Sequence, residues 1–222
     1  MRAALAIACI VGVLLSAGCS RTLSGTPQFE SSGATGSLED MLLPEDEVND
    51  LIGTSGMEIV ETVEELTDNS MYASEVDCLG SLYHSEETVY DESDVKGVAD
   101  QIITEPDDVG DYWVEQTVVQ LSSAGAVDDF VDQAKLDWSN CIGKDIVIDD
   151  DAEGAATWRF EGVTIDGASI AQTARNVGGD DWQCRHVMRS AADVVIEASV
   201  CGETVQEGAA ETLAERIAAR VR

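Results

Sequence analysis

Cysteine is the residue type in this sequence best suited to covalent chemistry, and the chain has six of them. Two, Cys9 and Cys19, lie within or directly after an N-terminal apolar run. The other four are spread over the rest of the chain: Cys78, Cys141, Cys184 and Cys201. They lack the close spacing of zinc ligands. In an exported chain an even number of cysteines favours two disulfide bonds, for which spacing alone leaves three connectivities open.

The first 18 residues indicate export. Arg2 is followed by an apolar run of signal-peptide length, too short and too rich in small residues for a comfortable membrane span. The run ends in LSAGC (15–19), which resembles a bacterial lipoprotein signal, where cleavage precedes a cysteine whose thiol is joined to diacylglycerol. We therefore expect a signal peptide at 1–18, a lipid on Cys19, and a flexible Ser/Gly/Thr-rich tether at 19–37. The protein would then be lipid-anchored at the extracytoplasmic face of the plasma membrane.

The charge balance restricts the class of partner. The chain has 44 acidic against 12 basic residues, a net charge of −32 at pH 7. Such a surface repels phosphate backbones, so we expect no nucleic-acid partner. A charge of this kind usually belongs to a solvated surface, and the functional alternative is attraction of cations or of a cationic ligand. No phosphate-binding loop is present, and we expect no cofactor.

Catalytic motifs are also lacking in the sequence. There is no G-x-S-x-G nucleophile elbow, and neither His84 nor His186 lies in a triad motif. Both histidines are expected to be surface or packed residues, and the chain is predicted not to be an enzyme. A histidine that contacts both a serine and a carboxylate in a pocket would instead indicate a hydrolase.

An acidic segment partly resembles a calcium loop. Asp149, Asp151 and Glu153 could supply alternate oxygens, and Gly154 could take the tight turn. The twelfth position, where a bidentate acid is needed, is Phe160. The segment is therefore predicted to be an acidic hairpin turn, and no metal site is expected.

Aromatic residues are few and are the best candidates for an apolar ligand cleft. Tryptophans at strand positions most simply belong to the core. If a cleft exists, its best lining residues are Tyr112, Trp113, Trp158 and Trp182, because concave sites favour aromatic side chains beside a few polar groups.

Several segments that would carry these residues have clear periodicity. Apolar residues at helical spacing predict a central helix over 124–143 that buries Trp138 and Cys141 on one face. A second helix is expected near the C-terminus, with Thr204 as a possible N-cap. Its apolar face comprises Ala210, Leu213, Ala214, Ile217 and Val221.

The segments around Cys184 and Cys201 flank Ala191 and Ala192 and predict an antiparallel hairpin. If these two cysteines lie opposite one another, the turn falls at Ala192 and Asp193, and the cysteines sit at matched positions, as a cross-strand disulfide requires. Runs of strands interrupted by a few helices indicate an α+β domain with an antiparallel sheet and packed helices.

Six motifs together resemble a known family: LLPEDEVNDLIG, DC at 77–78, AVDDFVDQAKLDWSNC, WQC, VVIEASVC and AETLAERIAARV. They are similar to the PknH-like extracytoplasmic sensor domains of mycobacterial receptor Ser/Thr kinases, which also occur alone in actinobacterial lipoproteins. The resemblance covers residues 38–222. It implies that the cysteines pair Cys78 with Cys141 and Cys184 with Cys201, and that the domain has a cleft for an unidentified ligand.

The expected function is a lipid-anchored, non-catalytic, sensor-like domain that binds an unknown small-molecule or envelope ligand. The alternative is an acidic structural or interaction lipoprotein that presents its charge to cationic wall or protein partners.

Overall fold

The computed structural model describes residues 37–105, 110–150, 154–179 and 181–221, with the side chain of Asp150 excluded. The predicted signal peptide, Cys19 and nearly all of the tether lie outside these ranges, and these predictions stay untested. The described chain has four α-helices: α1 (Glu45–Ile52), α2 (Glu87–Tyr90), α3 (Ala124–Cys141) and α4 (Ala209–Ala218). None of these helices is long and apolar enough to cross a membrane.

Nine strands form one antiparallel sheet. They are β1 (Glu58–Val63), β2 (Gly97–Thr104), β3 (Tyr112–Gln120), β4 (Asp145–Asp150), β5 (Gly154–Phe160), β6 (Thr164–Asp166), β7 (Ser169–Asn176), β8 (Gln183–Ala191) and β9 (Val194–Gly202). The order across the sheet is β1-β2-β3-β9-β8-β7-β5-β4, and the short β6 pairs with β7. The predicted α+β class with an antiparallel sheet is therefore confirmed.

One face of the sheet packs against α1 and α4. Leu213 and Ile217 of α4 are fully buried in this cluster, as the apolar periodicity predicts. Gln116 on β3 holds the preceding segment, since its amide nitrogen donates to the Leu43 carbonyl at 2.7 Å and its oxygen accepts from the Leu43 N–H at 2.9 Å. Arg220, just beyond α4, donates to the Leu42 carbonyl at 2.6 Å and so fixes the end of that helix to the same segment.

The other face carries α3 and a 3₁₀ helix, Val76–Ser81. Ser123 caps α3 by accepting the Ala126 N–H at 3.2 Å, and Trp138 and Cys141 are both buried. A disulfide joins Cys141 to Cys78 in the 3₁₀ helix, with Cα atoms 5.8 Å apart. This agrees with the pairing that the family resemblance implies, and it fixes the start of the segment that leads to His84.

The β8–β9 hairpin has the register that the sequence predicts. Cys184 lies opposite Cys201 and Ala191 opposite Val194, so the turn falls at Ala192 and Asp193. Cys184 and Cys201 form the second disulfide, with Cα atoms 4.0 Å apart.

One local prediction is wrong. The C-terminal helix begins at Ala209 rather than after Thr204, because Gly208 takes a left-handed conformation (φ 76°) directly before it. The acidic segment does separate two paired strands, with Asp150 opposite Gly154, and Gly154 has φ 87°. Asp151 and Glu153 lie outside the described residues.

Candidate functional site

A row of polar side chains crosses one face of the sheet on four adjacent strands, β2, β3, β9 and β8. This polar row consists of Asp100 on β2, Glu115 and Thr117 on β3, Glu197 and Ser199 on β9, and His186 on β8. The strand register aligns them, since Thr117 lies opposite Asp100 and Glu197 on its two neighbouring strands. All six residues are at most 9% exposed. Buried polar side chains are costly unless they are hydrogen-bonded, so their partners decide what the row can do.

His84 lies against the polar row from a segment outside the sheet. Its Nδ1 atom is 2.7 Å from Thr117 Oγ1, and its Nε2 atom is 2.7 Å from Ser199 Oγ. The Thr117 hydroxyl donates its single proton to Asp100, so its oxygen accepts from His84 Nδ1. His84 Nε2 then accepts from the Ser199 hydroxyl. Burial, and then the neighbouring His186, hold the pKa of His84 well below its usual value, which favours this neutral form.

Glu197 connects the segment of His84 to the sheet. Its Oε1 atom accepts from the Ser85 N–H at 3.0 Å and from the Tyr90 hydroxyl at 2.8 Å. Burial and the Glu197 carboxylate raise the pKa of Tyr90 well above its usual value, so Tyr90 stays a proton donor. Ser85 has φ 43°, a left-handed conformation that is unusual for a residue with a side chain. The hydrogen bond to Glu197 helps to hold this strained turn.

The two histidine rings stack on each other. The ring centroids of His84 and His186 are 4.4 Å apart. The ring of Trp138, which belongs to α3, lies 4.7 Å from that of His186. His186 Nε2 lies 3.2 Å from Glu197 Oε2, but neither nitrogen of the His186 ring has a hydrogen-bond partner among the described residues. Both histidines are packed inside the domain, which is one of the two positions, surface or packed, that the sequence predicts for them.

Asp100 and Glu115 form a coupled acidic pair. Burial raises the pKa of Asp100 to about 6, although hydrogen bonds from Thr117 and Glu115 lower it in part. Burial first, and then Asp100 and Glu197, raise the pKa of Glu115 well above its usual value. Glu115 is the proton donor in this pair and Asp100 the acceptor, so together they retain a proton to a higher pH than free carboxyl groups do.

A cavity of about 480 Å³ opens beside this acidic pair. Its lining includes Trp113, Trp158 and Trp182, together with Asp100 and Glu115. Three of the four aromatic residues chosen from the sequence therefore border one cavity. The volume and the mixture of aromatic walls with a few polar groups are typical of a small-molecule site.

Tyr112 does not line this cavity. It is the neighbour of Trp113 on β3, and successive side chains of a strand point to opposite faces of the sheet. Tyr112 instead packs against the cluster on the α1 and α4 face. Its inclusion with the cleft residues was wrong for this reason.

The contacts of His84 bear on two kinds of chemistry, nucleophilic catalysis by a serine and the binding of a metal ion. His84 accepts from a serine, as in an activated nucleophile, but Ser199 is 1% exposed and is not among the residues that line the cavity. Ser199 is therefore not placed to attack a bound molecule.

His84, Asp100 and Glu115 each offer one possible metal-binding atom within 4.8 Å of the others. The His84 Nδ1 atom is already used by Thr117, so a metal ion would have to displace that hydrogen bond.

The sequence analysis missed the polar row. One signal was available, because Glu115 is the one charged residue of β3 (YWVEQTVVQ) and Glu197 the one charged residue of β9 (VVIEASVCG). A charged residue in such a run is rarely buried without a partner. The register that brings the two strands together could not be read from that signal.

The chain is similar to known proteins over most of its length. The profile of the family described as PknH-like extracellular domain matches residues 34–220. The serine/threonine-protein kinases PknH of Mycobacterium bovis and Mycobacterium tuberculosis are each 29% identical to the chain over 178 residues, which is 80% of this chain. The match covers only 30% and 28% of those two kinases, so the chain spans less than a third of their length.

A solved structure supports the same relationship. The crystal structure of the extracellular domain of PknH from Mycobacterium tuberculosis aligns with a TM-score of 0.78 at 28% identity, over 82% of this chain and 93% of that chain. The profile match and the structural match thus identify a sensor-type extracellular domain. The chain belongs to the PknH-like extracellular domain family. Membership implies an extracytoplasmic location, and the structural match concerns the extracellular domain of PknH rather than its kinase domain.

Proposed function

We propose that this protein is a non-catalytic, sensor-like binding domain whose ligand occupies the cavity between Trp113, Trp158 and Trp182. The observation that carries the proposal is the cavity itself, about 480 Å³ in volume and bordered by three tryptophans and two buried carboxyl groups. Removing two carboxyl groups from water costs free energy unless they are fully paired. Carboxyl groups that border a cavity and have perturbed pKa values are typical of functional sites. The inaccessible position of Ser199 supports a binding role over a hydrolytic one.

The alternative function, an acidic lipoprotein that binds cationic wall or protein partners through its surface, is supported by the net charge of −32 alone. A surface role of that kind requires no cavity. The observations on the cavity therefore favour the sensor-like function.

The cavity proposal is tested by mass spectrometry of small molecules that co-purify with the full chain from its native membrane. The wild type is expected to retain a ligand that Trp113→Ala loses. Tyr112→Ala is the matched control, because it removes the aromatic ring next in sequence, which faces away from the cavity. Retention of the same molecules by all three proteins, or by none of them, would contradict the proposal.

We further propose that a diacylglyceryl group on Cys19 holds the protein at the outer face of the plasma membrane. A buried acyl chain contributes about 0.8 kcal/mol per methylene, and two chains together give stable attachment. Cys19→Ala is expected to abolish labelling by a radioactive or alkyne-bearing fatty acid and to shift the protein from the membrane to the aqueous fraction. Cys9→Ala, which alters a cysteine inside the signal, should leave the label in place. A label that persists in Cys19→Ala would disprove the anchor.

A further inference from the structure

We infer that the ligand of this cavity is a small organic cation, with its ammonium group beside Asp100 and Glu115 and its apolar part against Trp113 and the neighbouring tryptophans. The inference rests on the proposed function, because it assigns a chemical class to the ligand of the same cavity. Three observations carry it: the charges of the lining residues, the position of the aromatic walls and the size of the space.

The lining residues carry negative charge without a compensating cation. Glu61, Asp100 and Glu115 are the acidic residues among them, and none of the described lining residues is a lysine or an arginine. His84 is the one basic side chain of the lining, and its lowered pKa leaves it neutral. An anionic ligand would find no cationic partner in this lining, and a neutral ligand would leave the acidic pair without a counter-charge.

The acidic pair responds to a cation in a specific way. Burial penalises the ionised state of Asp100 and Glu115, and the nearby Glu61 and Glu197 penalise it further. A cation beside the pair favours the fully ionised state, so binding should expel the proton that the pair retains. Proton release on binding is therefore a consequence of this geometry that a purely apolar ligand would not produce.

The aromatic walls suit the same ligand. Trp113 and Glu115 point to the same face of β3 two residues apart, which places their Cα atoms about 7 Å from each other. Tryptophan is the best aromatic partner for a cation, and such contacts contribute about 0.5–2 kcal/mol. Trp158 and Trp182 border the same space from β5 and from the residue before β8.

The size of the space favours an organic cation over a metal ion. A volume of about 480 Å³ accommodates a molecule of several non-hydrogen atoms, whereas a single divalent ion would fill a small part of it. A metal ion would also need His84 Nδ1, which lies 2.7 Å from Thr117 Oγ1 and 4.0 Å from Glu115 Oε2. Tryptophan is not a metal ligand, so the three indole rings would have no role in a metal site.

The test is isothermal titration calorimetry of the full chain in detergent at pH 7 and low salt, with three probes of matched shape. They are 2-phenylethylammonium, the neutral 2-phenylethanol and the anionic 3-phenylpropanoate. We expect the ammonium probe to bind at least about tenfold more tightly than the alcohol, which corresponds to about 1.4 kcal/mol, and the anion to show no binding. The heat of ammonium binding should change with the ionisation enthalpy of the buffer, because protons are released.

Two variants test whether the preference for the ammonium probe depends on Asp100 and Glu115. Asp100→Asn combined with Glu115→Gln is expected to remove the preference for the ammonium probe and the proton release, while the alcohol still binds. Glu203→Gln changes an exposed acid outside the lining and should bind all three probes like the wild type.

The outcomes separate this inference from the proposed function. Equal binding of the ammonium and alcohol probes would overturn the cation inference and leave a ligand-binding cavity in place. Binding of none of the probes would also overturn it, and the co-purification experiment with the Trp113→Ala variant and its Tyr112→Ala control would still decide the proposed function. Stoichiometric zinc binding that blocks the ammonium probe would assign the acidic pair to a metal ion and would overturn the inference as well.

Discussion

Replacing Glu197 with alanine is expected to lower the free energy of unfolding by about 2–6 kcal/mol, because removing this central acceptor leaves two buried hydrogen-bond donors unpaired, at about 1–3 kcal/mol each. Glu197 is 1% exposed and accepts hydrogen bonds from the Ser85 N–H and the Tyr90 hydroxyl. Both donors would be left buried and unpaired, and the strained turn at Ser85 would lose a restraint. Urea unfolding followed by circular dichroism measures the loss.

Two further variants test whether the loss of stability comes from the buried acceptor of Glu197. Glu197→Gln keeps the size of the side chain and one oxygen acceptor, so we expect a smaller loss than for alanine. Glu203→Ala, at an exposed position, should change stability by no more than about 0.5 kcal/mol. A loss below about 1 kcal/mol for Glu197→Ala would show that the network does not stabilise the fold.

Removing the Cys78–Cys141 disulfide is expected to cost about 4 kcal/mol in the chain-entropy account, because the bond closes a loop of 63 residues. This is a large share of the 5–15 kcal/mol that typically stabilises a domain. The variant is Cys78→Ala combined with Cys141→Ala, and the measurement is urea unfolding without reductant.

The second disulfide supplies the matched comparison. Cys184 and Cys201 are 17 residues apart, so the same account gives about 3 kcal/mol for removing that bond. The Cys78–Cys141 variant should therefore be the less stable of the two double variants. The reverse order would mean that local packing in the β8–β9 hairpin outweighs the length of the closed loop.

The periodic elements of this fold could be predicted from the sequence, and their burial explains why. Val127, Val131, Ala134 and Trp138 recur at helical spacing and are buried in α3. The turn at Ala192 and Asp193 follows from placing Cys184 opposite Cys201, a register that the structure confirms. In both cases the information is local, since residues close in the chain determine the pattern.

The site could be predicted only in part because it depends on contacts between distant segments. Thr117 lies opposite Glu197 although 80 positions separate them along the chain. His84 belongs to a segment without periodicity, and its hydrogen-bond partners come from two different strands. The tryptophans could be proposed for a cleft from their type, whereas the exclusion of Tyr112 required attention to the alternation of side chains along β3.

The crosslink between Cys184 and Cys201 has a consequence for when this protein can work. Both cysteines are among the residues that border the cavity. Disulfides persist in oxidising compartments and are rare in the reducing cytoplasm. For an extracytoplasmic domain, the wall of the cavity is therefore completed by oxidation outside the cytoplasm, and maturation of the proposed binding surface is tied to that compartment rather than to synthesis.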